Sequence, residues 1–581
     1  MIDLNGWYND FTYERFINIC CVIMIRINSG DKKFGVRSSV DINTASTQEY
    51  ILTNDDVDHS PKNIMVGSYF GGRSHLKPML DVAAVLDERG HNIILITSGN
   101  YTPSSEYPTV KQVSFGPPVD IKKLKNVKNI IHKEFDFTRF TFMYDLALKT
   151  YNDTFVKYKN AAIENNVDLF LCHAMMNDAC LDAAHALNKP VVGFLSYLNA
   201  IDLKTYKSDP MFRCNISLEN ESFLERFKCT VIQPLRMLNL VYNNSKKLND
   251  LRNKMGVEQV FMSAMRLAKN SLVLIDSFFG FELPQTVPPN VQEIGPVLAK
   301  EYPPLTPELS DFINAHKRVL YVAFGTRFFT TTENNSKLLR SFIEAINRNM
   351  VDGVVWALSQ TQKEDFNPTL TLSDGSQVQT SLILNNEHPH IHIAKFAPQF
   401  AVLNHTNTKL FFSHGGAGST HESLFTGTPM LVLPLGGDQM GNAQKLELAG
   451  MALSANKMSL DVDDILNKID FLLKDENVKK NSERMKFLAR IGSKRKHRAA
   501  DLIEYILYRN NLDKGSNKEL REWIPASTRM GFIRGNNYDV YGAILGIALG
   551  LVGGILWFII KSIRFVVKKI SPPSNQKPKK E

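Results

Sequence analysis

The sequence predicts an α/β protein of two doubly wound parallel-sheet domains facing across a cleft, followed by one C-terminal transmembrane helix. Three observations carry this reading. Short, uniformly apolar stretches alternate with helical patterns in both halves, as parallel strands buried on both faces require. A proline-rich join, "VPPNVQEIGPVLAKEYPPLTP" at 287–307, separates the halves. Twenty residues without a charge, 541–560, run into a basic tail.

In chain order, "FINICCVIMI" at 16–25 has the apolarity of a signal-peptide h-region or an anchor within residues 1–30, although acidic residues precede it, and 31–61 is a linker. The N-terminal domain, 62–286, starts with the strand "NIMVGSYF", a helical pattern from Leu76 to Arg89 capped by Gly90, and the strand "NIILIT". "VDLFLCH" and "KPVVGFLS" continue it, and residues 200–270 form either an acceptor-side lip or an amphipathic membrane-facing segment. The C-terminal domain, 308–525, repeats the theme with "RVLYVAFGT", "VVWALS", "IHIAKF", "KLFFSH" and "MLVLPL". The segment 541–560 is long enough to cross about 30 Å of hydrocarbon. Lys561, Arg564, Lys568 and Lys569 follow it, which places the tail 561–581 in the cytosol and the domains in the lumen. Gly542, Gly546 and Gly550 give that helix a close-packing face suited to a homo-oligomer.

The formal charge of +9 does not indicate nucleic acid. Residues 561–581 hold seven Lys or Arg and one Glu, so six of the nine charges sit beside the membrane. Sequons at Asn100, Asn152, Asn215, Asn220, Asn243, Asn334 and Asn404 suit a glycosylated lumenal chain, and Lys577 and Lys579 resemble a K-x-K-x-x endoplasmic-reticulum signal. Cys214 and Cys229 are close enough in sequence to bridge there, while Cys172 and Cys180 lie in apolar runs and read as core. No Cys/His cluster has metal-ligand spacing, so no metal is expected.

The chemistry concentrates in "FFSHGGAGSTHES" at 411–423. It follows a strand, so its glycines lie at the strand's carboxyl end and open a helix whose free N–H groups and dipole favour an anion. His414 adds a hydrogen bond or a positive charge. The run is neither the dinucleotide pattern G-x-G-x-x-G nor a P-loop, which excludes an NAD-type oxidoreductase.

The order "FAPQ", "HGGAGSTHE", "PLGGDQ" across 396–439 resembles the signature of the UDP-glycosyltransferase family, and the resemblance covers most of residues 62–560. It implies a GT-B fold of two Rossmann-like domains that takes a UDP-sugar as donor substrate, with no cofactor. Phe396 would stack on uracil and Gln399 meet the base. Glu422 would hold the ribose, and Thr326, His414, Gly416 and Ser419 the diphosphate. Asp438 and Gln439 would bind sugar hydroxyls. Gly418 departs from the Asn that many members carry there.

On the N-terminal side the resemblance gives His75 the place of catalytic base. The partner Asp is expected near residue 173, where this chain has His173; Asp178, the leading substitute, or Asp182 could take the role, or His173 could itself orient His75 differently. The implied activity is inverting transfer of a hexose, glucose or glucuronate, to a hydroxyl of a small lipophilic acceptor. The replaced Asp keeps a second reading open, a non-catalytic nucleotide-sugar-binding membrane component.

Overall fold

The computed structural model describes residues 60–570, except 70–72, 119–131, 136–140, 197–213, 215–220, 261–266, 268–270, 285–286, 327–329, 360, 513–522 and 525–529. The apolar segment 16–25, the sequons Asn215 and Asn220, and Lys577 and Lys579 lie outside them.

Strands β1 (Asn63–Ser68), β2 (Asn92–Thr97), β3 (Lys111–Ser114), β4 (Leu169–His173), β5 (Val191–Leu195), β6 (Leu272–Ile275) and β7 (Val291–Glu293) form the first sheet, in the order β3-β2-β1-β4-β5-β6-β7. Every pairing is parallel. The second sheet has the order β12-β9-β8-β13-β14-β15 and is also wholly parallel. Its strands are β8 (Val319–Ala323), β9 (Gly353–Ala357), β12 (Ile391–Ala394), β13 (Thr408–Ser413), β14 (Met430–Val432) and β15 (Ala452–Ser454), while a short antiparallel hairpin, β10 (Thr369–Thr371) and β11 (Gln377–Gln379), stands apart. β1, β4, β8 and β13 are almost wholly buried because helices cover both faces, and each face has its own apolar core.

In both sheets the chain reverses direction of winding beside the first strand, between β1 and β4 and between β8 and β13. Adjacent loops diverge at such a point and leave a crevice at the carboxyl ends. Helices α1 (Arg73–Glu88), α2 (Asp178–Ala186), α4 (Ala417–Thr426) and α5 (Gln439–Leu448) begin after strand carboxyl ends, and α3 (Gln233–Lys254) meets α2 through Arg252 and Asp182.

The expected domain boundary at 525 does not follow the packing. Helix α6 (Lys496–Leu512) leaves the second domain and lies on α1, where Ala499, Ile503, Ile506 and the later Ile524 join Leu76 and Met79 in one core. Apolar positions on α6 find their matching surface there, reinforced by Arg89–Asp501 at 2.7 Å and by His91–Glu504 at 3.1 Å. Helix α7 (Tyr538–Ile570) follows; its most apolar window has a mean hydropathy of 2.5 and none of that window is buried.

Two disulfides occur among the described residues. Cys214–Cys229 forms as the spacing allowed. Cys172 and Cys180, read as core thiols, are buried but bonded to each other, because the loop after β4 returns the first turn of α2 to the strand end. Of the described sequons, Asn100, Asn243 and Asn404 are exposed. Asn334 is not an accessible acceptor: it is buried and its side-chain amide donates to the Lys457 carbonyl at 2.9 Å.

Candidate active site

The second-domain half is built where β13 ends. Ser413 and His414 are buried, Gly415 turns the chain with φ +79°, and Gly416 is the N-cap of α4 without a side-chain cap. His414 fills the gap between two backbone segments. A Cβ on Gly416 would lie 2.5 Å from its Nε2, and one on Gly325, in the turn after β8, 2.8 Å from it. That packing needs glycine at both places. Burial pushes the His414 imidazole down to about 4, so at neutral pH it offers a hydrogen bond and not the positive charge that the sequence left open. Thr326 follows Gly325 and is exposed at the same crevice.

Around the cradle the expected donor residues converge. Gln399 Nε2 donates to Glu422 Oε2 at 2.8 Å and to Ser419 Oγ at 3.1 Å, so one amide ties the "FAPQ" loop to α4. Phe396, two residues past β12, is 57% exposed and so is not part of the core. A Cβ on Gly418 would meet nothing within 4 Å, so the departure at this position leaves open space.

Asp438 and Gln439 begin α5 and have unequal freedom. Gln439 is buried, and its Oε1 accepts from the N–H groups of Leu435 (2.8 Å) and Gly436 (3.2 Å), which leaves only its NH2 for a ligand. The Asp438 carboxylate takes the Ala417 backbone N–H, in the first turn of α4, and Asn442 Nδ2 at 3.4 Å. Burial raises its pKa, opposed first by the charge of His75. Asn442 also donates to the Gly415 carbonyl at 3.0 Å. It was missed in the sequence, although one helical turn after Asp438 is where such a partner would stand.

The first-domain half is less conventional. His75 lies half-buried in the first turn of α1, and its ring stands edge-on to His173, with centroids 5.0 Å apart and an interplanar angle of 74°. His173 ends β4 and is 4% exposed; its Nε2 has no hydrogen-bond partner among the described residues. Burial, then the neighbouring His75, push it down to about 3. It therefore stays neutral and supplies no negative charge where an Asp was expected.

Asp178 opens α2, with its carboxylate 3.4 Å from the Tyr144 hydroxyl and 3.8 Å from the Arg252 guanidinium. Arg252 is fully buried and also takes Asp182 in two hydrogen bonds, at 2.8 and 3.1 Å. A guanidinium without water needs such anions, which draws both acids toward α3. Arg252 lies 70 residues from Asp182, so no local pattern announced the pairing. The ring set against His75 is that of His173.

A family model described as "UDP-glucoronosyl and UDP-glucosyl transferase" matches residues 72–571. "UDP-glycosyltransferase 1" of Phaeomoniella chlamydospora is 38% identical over 302 residues, 51% of this chain and 59% of that protein, so the chain aligns with little more than half of that relative. "UDP-glycosyltransferase stmC" of Aspergillus ustus is 27% identical over 510 residues, 83% of this chain and 94% of that protein. Among solved structures, the glycotransferase of kitacinnamycin superposes with a TM-score of 0.54 at 17% identity, covering 77% of this chain and 99% of its own. The fold they share is GT-B, two parallel-sheet domains facing across a cleft.

Proposed function

This chain belongs to the UDP-glucuronosyl and UDP-glucosyl transferase family, and on that premise we propose that it transfers a hexose, glucose or glucuronate, with inversion from a UDP-sugar to a hydroxyl of a small lipophilic acceptor. The observation that carries the proposal is the convergence at the anion cradle: Gln399 ties to Ser419 and Glu422 of α4, and Asp438 takes an N–H of that helix's first turn. In this reading the acceptor O–H gives its proton to His75 and its oxygen lone pair attacks the anomeric carbon. The bond from that carbon to the β-phosphate oxygen breaks, and UDP leaves with the electron pair. The first-turn N–H groups of α4 and a neutral, donating His414 receive the charge that develops on the diphosphate. Phe396 stacks on uracil and Gln399 meets the base, Glu422 takes the ribose, Thr326, Gly416 and Ser419 hold phosphate, and Asp438 with the Gln439 amide holds sugar hydroxyls. His173 positions the His75 ring by contact.

The proposal includes the site of action. Helix α7 spans the endoplasmic-reticulum membrane once, with both domains in the lumen; the uncharged stretch 541–560 and the cations after it support this.

Product mass spectrometry tests the activity, with UDP-glucose and UDP-glucuronate offered to a panel of membrane-partitioning alcohols. Glycoside is expected from the wild type, with turnover about 10²–10⁴-fold lower in His75→Ala. One observation favours the second reading, a nucleotide-sugar binder without turnover: the neutral His173 in place of a carboxylate. Wild-type UDP-sugar binding with no product across the panel would select it.

A further inference from the structure

Helix α3 continues without a break from Phe223–Phe227 and a π-helical turn, Lys228–Ile232. Along this rod Leu224, Phe227, Val231, Leu235, Leu238 and Tyr242 follow one another at intervals of 3, 4, 4, 3 and 4 residues, which sets them on one side over about five turns. They are not core: each is between 36% and 75% exposed. A surface helix of a water-soluble domain hides such a stripe and shows charges; here the stripe faces out. On its other sides the rod carries Arg226, Lys228 and Arg236 against the single acid Glu225. The Cys214–Cys229 disulfide fixes the start of the rod to the preceding chain. Farther along, Ser245, Leu248 and Arg252 turn inward to the first-domain core.

We infer that the stripe of residues 224–242 lies in the interfacial layer of an anionic phospholipid bilayer and gives the first domain its own contact with the membrane. The inference rests on the reading that α7 spans a bilayer, which brings such a surface to this chain. Apolar residues on one face with cations on the polar side are the composition of a helix seated at the boundary of headgroups and acyl chains, and the cations complement acidic lipid. The same helix then runs inward. Leu248 lines a cavity with Tyr69, Tyr144, Tyr151, Met176 and Asp178, about 15 Å along the helix from Leu238 at 1.5 Å per residue. One rod thus joins lipid at one end to the buried first-domain core at the other.

The test uses the full chain reconstituted into vesicles of phosphatidylcholine with phosphatidylserine, a lipid-soluble carbene photoprobe, and peptide mapping by mass spectrometry. Labelling is expected both in 541–560 and in the peptides covering 224–242, the latter stronger with phosphatidylserine present than in phosphatidylcholine alone. In Leu224→Glu/Leu235→Glu the 224–242 label falls by about tenfold or more, as withdrawal of two leucines from apolar contact requires, while the 541–560 label stays. Label in 541–560 without label in wild-type 224–242 overturns the inference and leaves the spanning reading intact. Absence of both removes the spanning reading, and the inference with it. Hydrogen-exchange protection of 224–242 that follows protein concentration at fixed lipid identifies a second copy as the occupant, and also overturns it.

Discussion

His414 is wedged between Gly325 and Gly416, and that contact makes the cradle sensitive to a single methyl group. In Gly416→Ala a Cβ would sit 2.5 Å from the imidazole, so the ring or the turn must move. UDP-sugar affinity is expected to fall about 10–100-fold by calorimetry, about 1.4–2.8 kcal/mol. Gly418→Ala, two residues on and facing open space, should leave affinity within about twofold and raise stability by up to about 1 kcal/mol, since Ala is the better helix former. The neutral His173 makes the opposite kind of prediction. His173→Asp restores a carboxylate beside His75 and stabilises its protonated form, so the acid limb of the kcat/KM profile moves up by about 1–2 pH units. An unchanged limb would mean that His173 has no hold on the base. The donor side of this site was legible because its residues, Thr326 apart, stand in one ordered run at 396–439, just past strand ends or in the first two turns of a helix. On the other side the sequence offered His173, Asp178 and Asp182 beside His75 without deciding among them. The choice depends on where Arg252 pulls Asp178 and Asp182, and that pull acts across α2 and α3, far apart in the chain.

Among the elements, strands with uninterrupted apolar runs were readable, as β1, β2, β4, β8 and β13 are. β3 ("KQVS") was not, because an edge strand half in water carries polar residues and loses the pattern. β15 is three residues long and leaves too little pattern to read. The connection between β4 and α2 hid a different feature. Its Cys172–Cys180 bond closes a loop of eight residues' separation around His173 and Asp178. Removing it in Cys172→Ala/Cys180→Ala frees the loop ends in the unfolded chain, a loss of about 2.5 kcal/mol by loop-closure entropy, to be read as a lower thermal midpoint. The same variant should lower kcat more than it raises KM for UDP-sugar, because the loop carries His173 and not the donor cradle.

At the scale of the molecule, the join between domains is ionisable. Asp276, at the end of β6, meets His421 of α4 at 3.6 Å and accepts the Val297 N–H at 2.7 Å. Burial lifts Asp276 to about 7 and lowers His421 to about 3. The signs differ. Asp276, with its folded pKa raised, contributes stability below its unfolded pKa of about 3.9, and the contribution is lost as pH rises through about 7. His421, His414 and His173, all lowered, contribute above about 6.5, and that contribution is lost as pH falls toward 3–4. Asp276→Asn keeps the carbonyl that accepts from Val297 and removes the charge. Its advantage over the wild type in thermal unfolding should therefore grow by about 2–3 kcal/mol between pH 5 and 7.5; an advantage independent of pH would refute this account.

The return of α6 to the first domain has a further consequence for motion. After the donor-side sheet is complete, the chain packs on α1, adds Ile524 to that core and only then enters α7. The tether therefore hangs from the half that carries His75. On the proposed reading of α7 as a span, that half is the moored one, and any relative motion of the two domains is a swing of the proposed donor half.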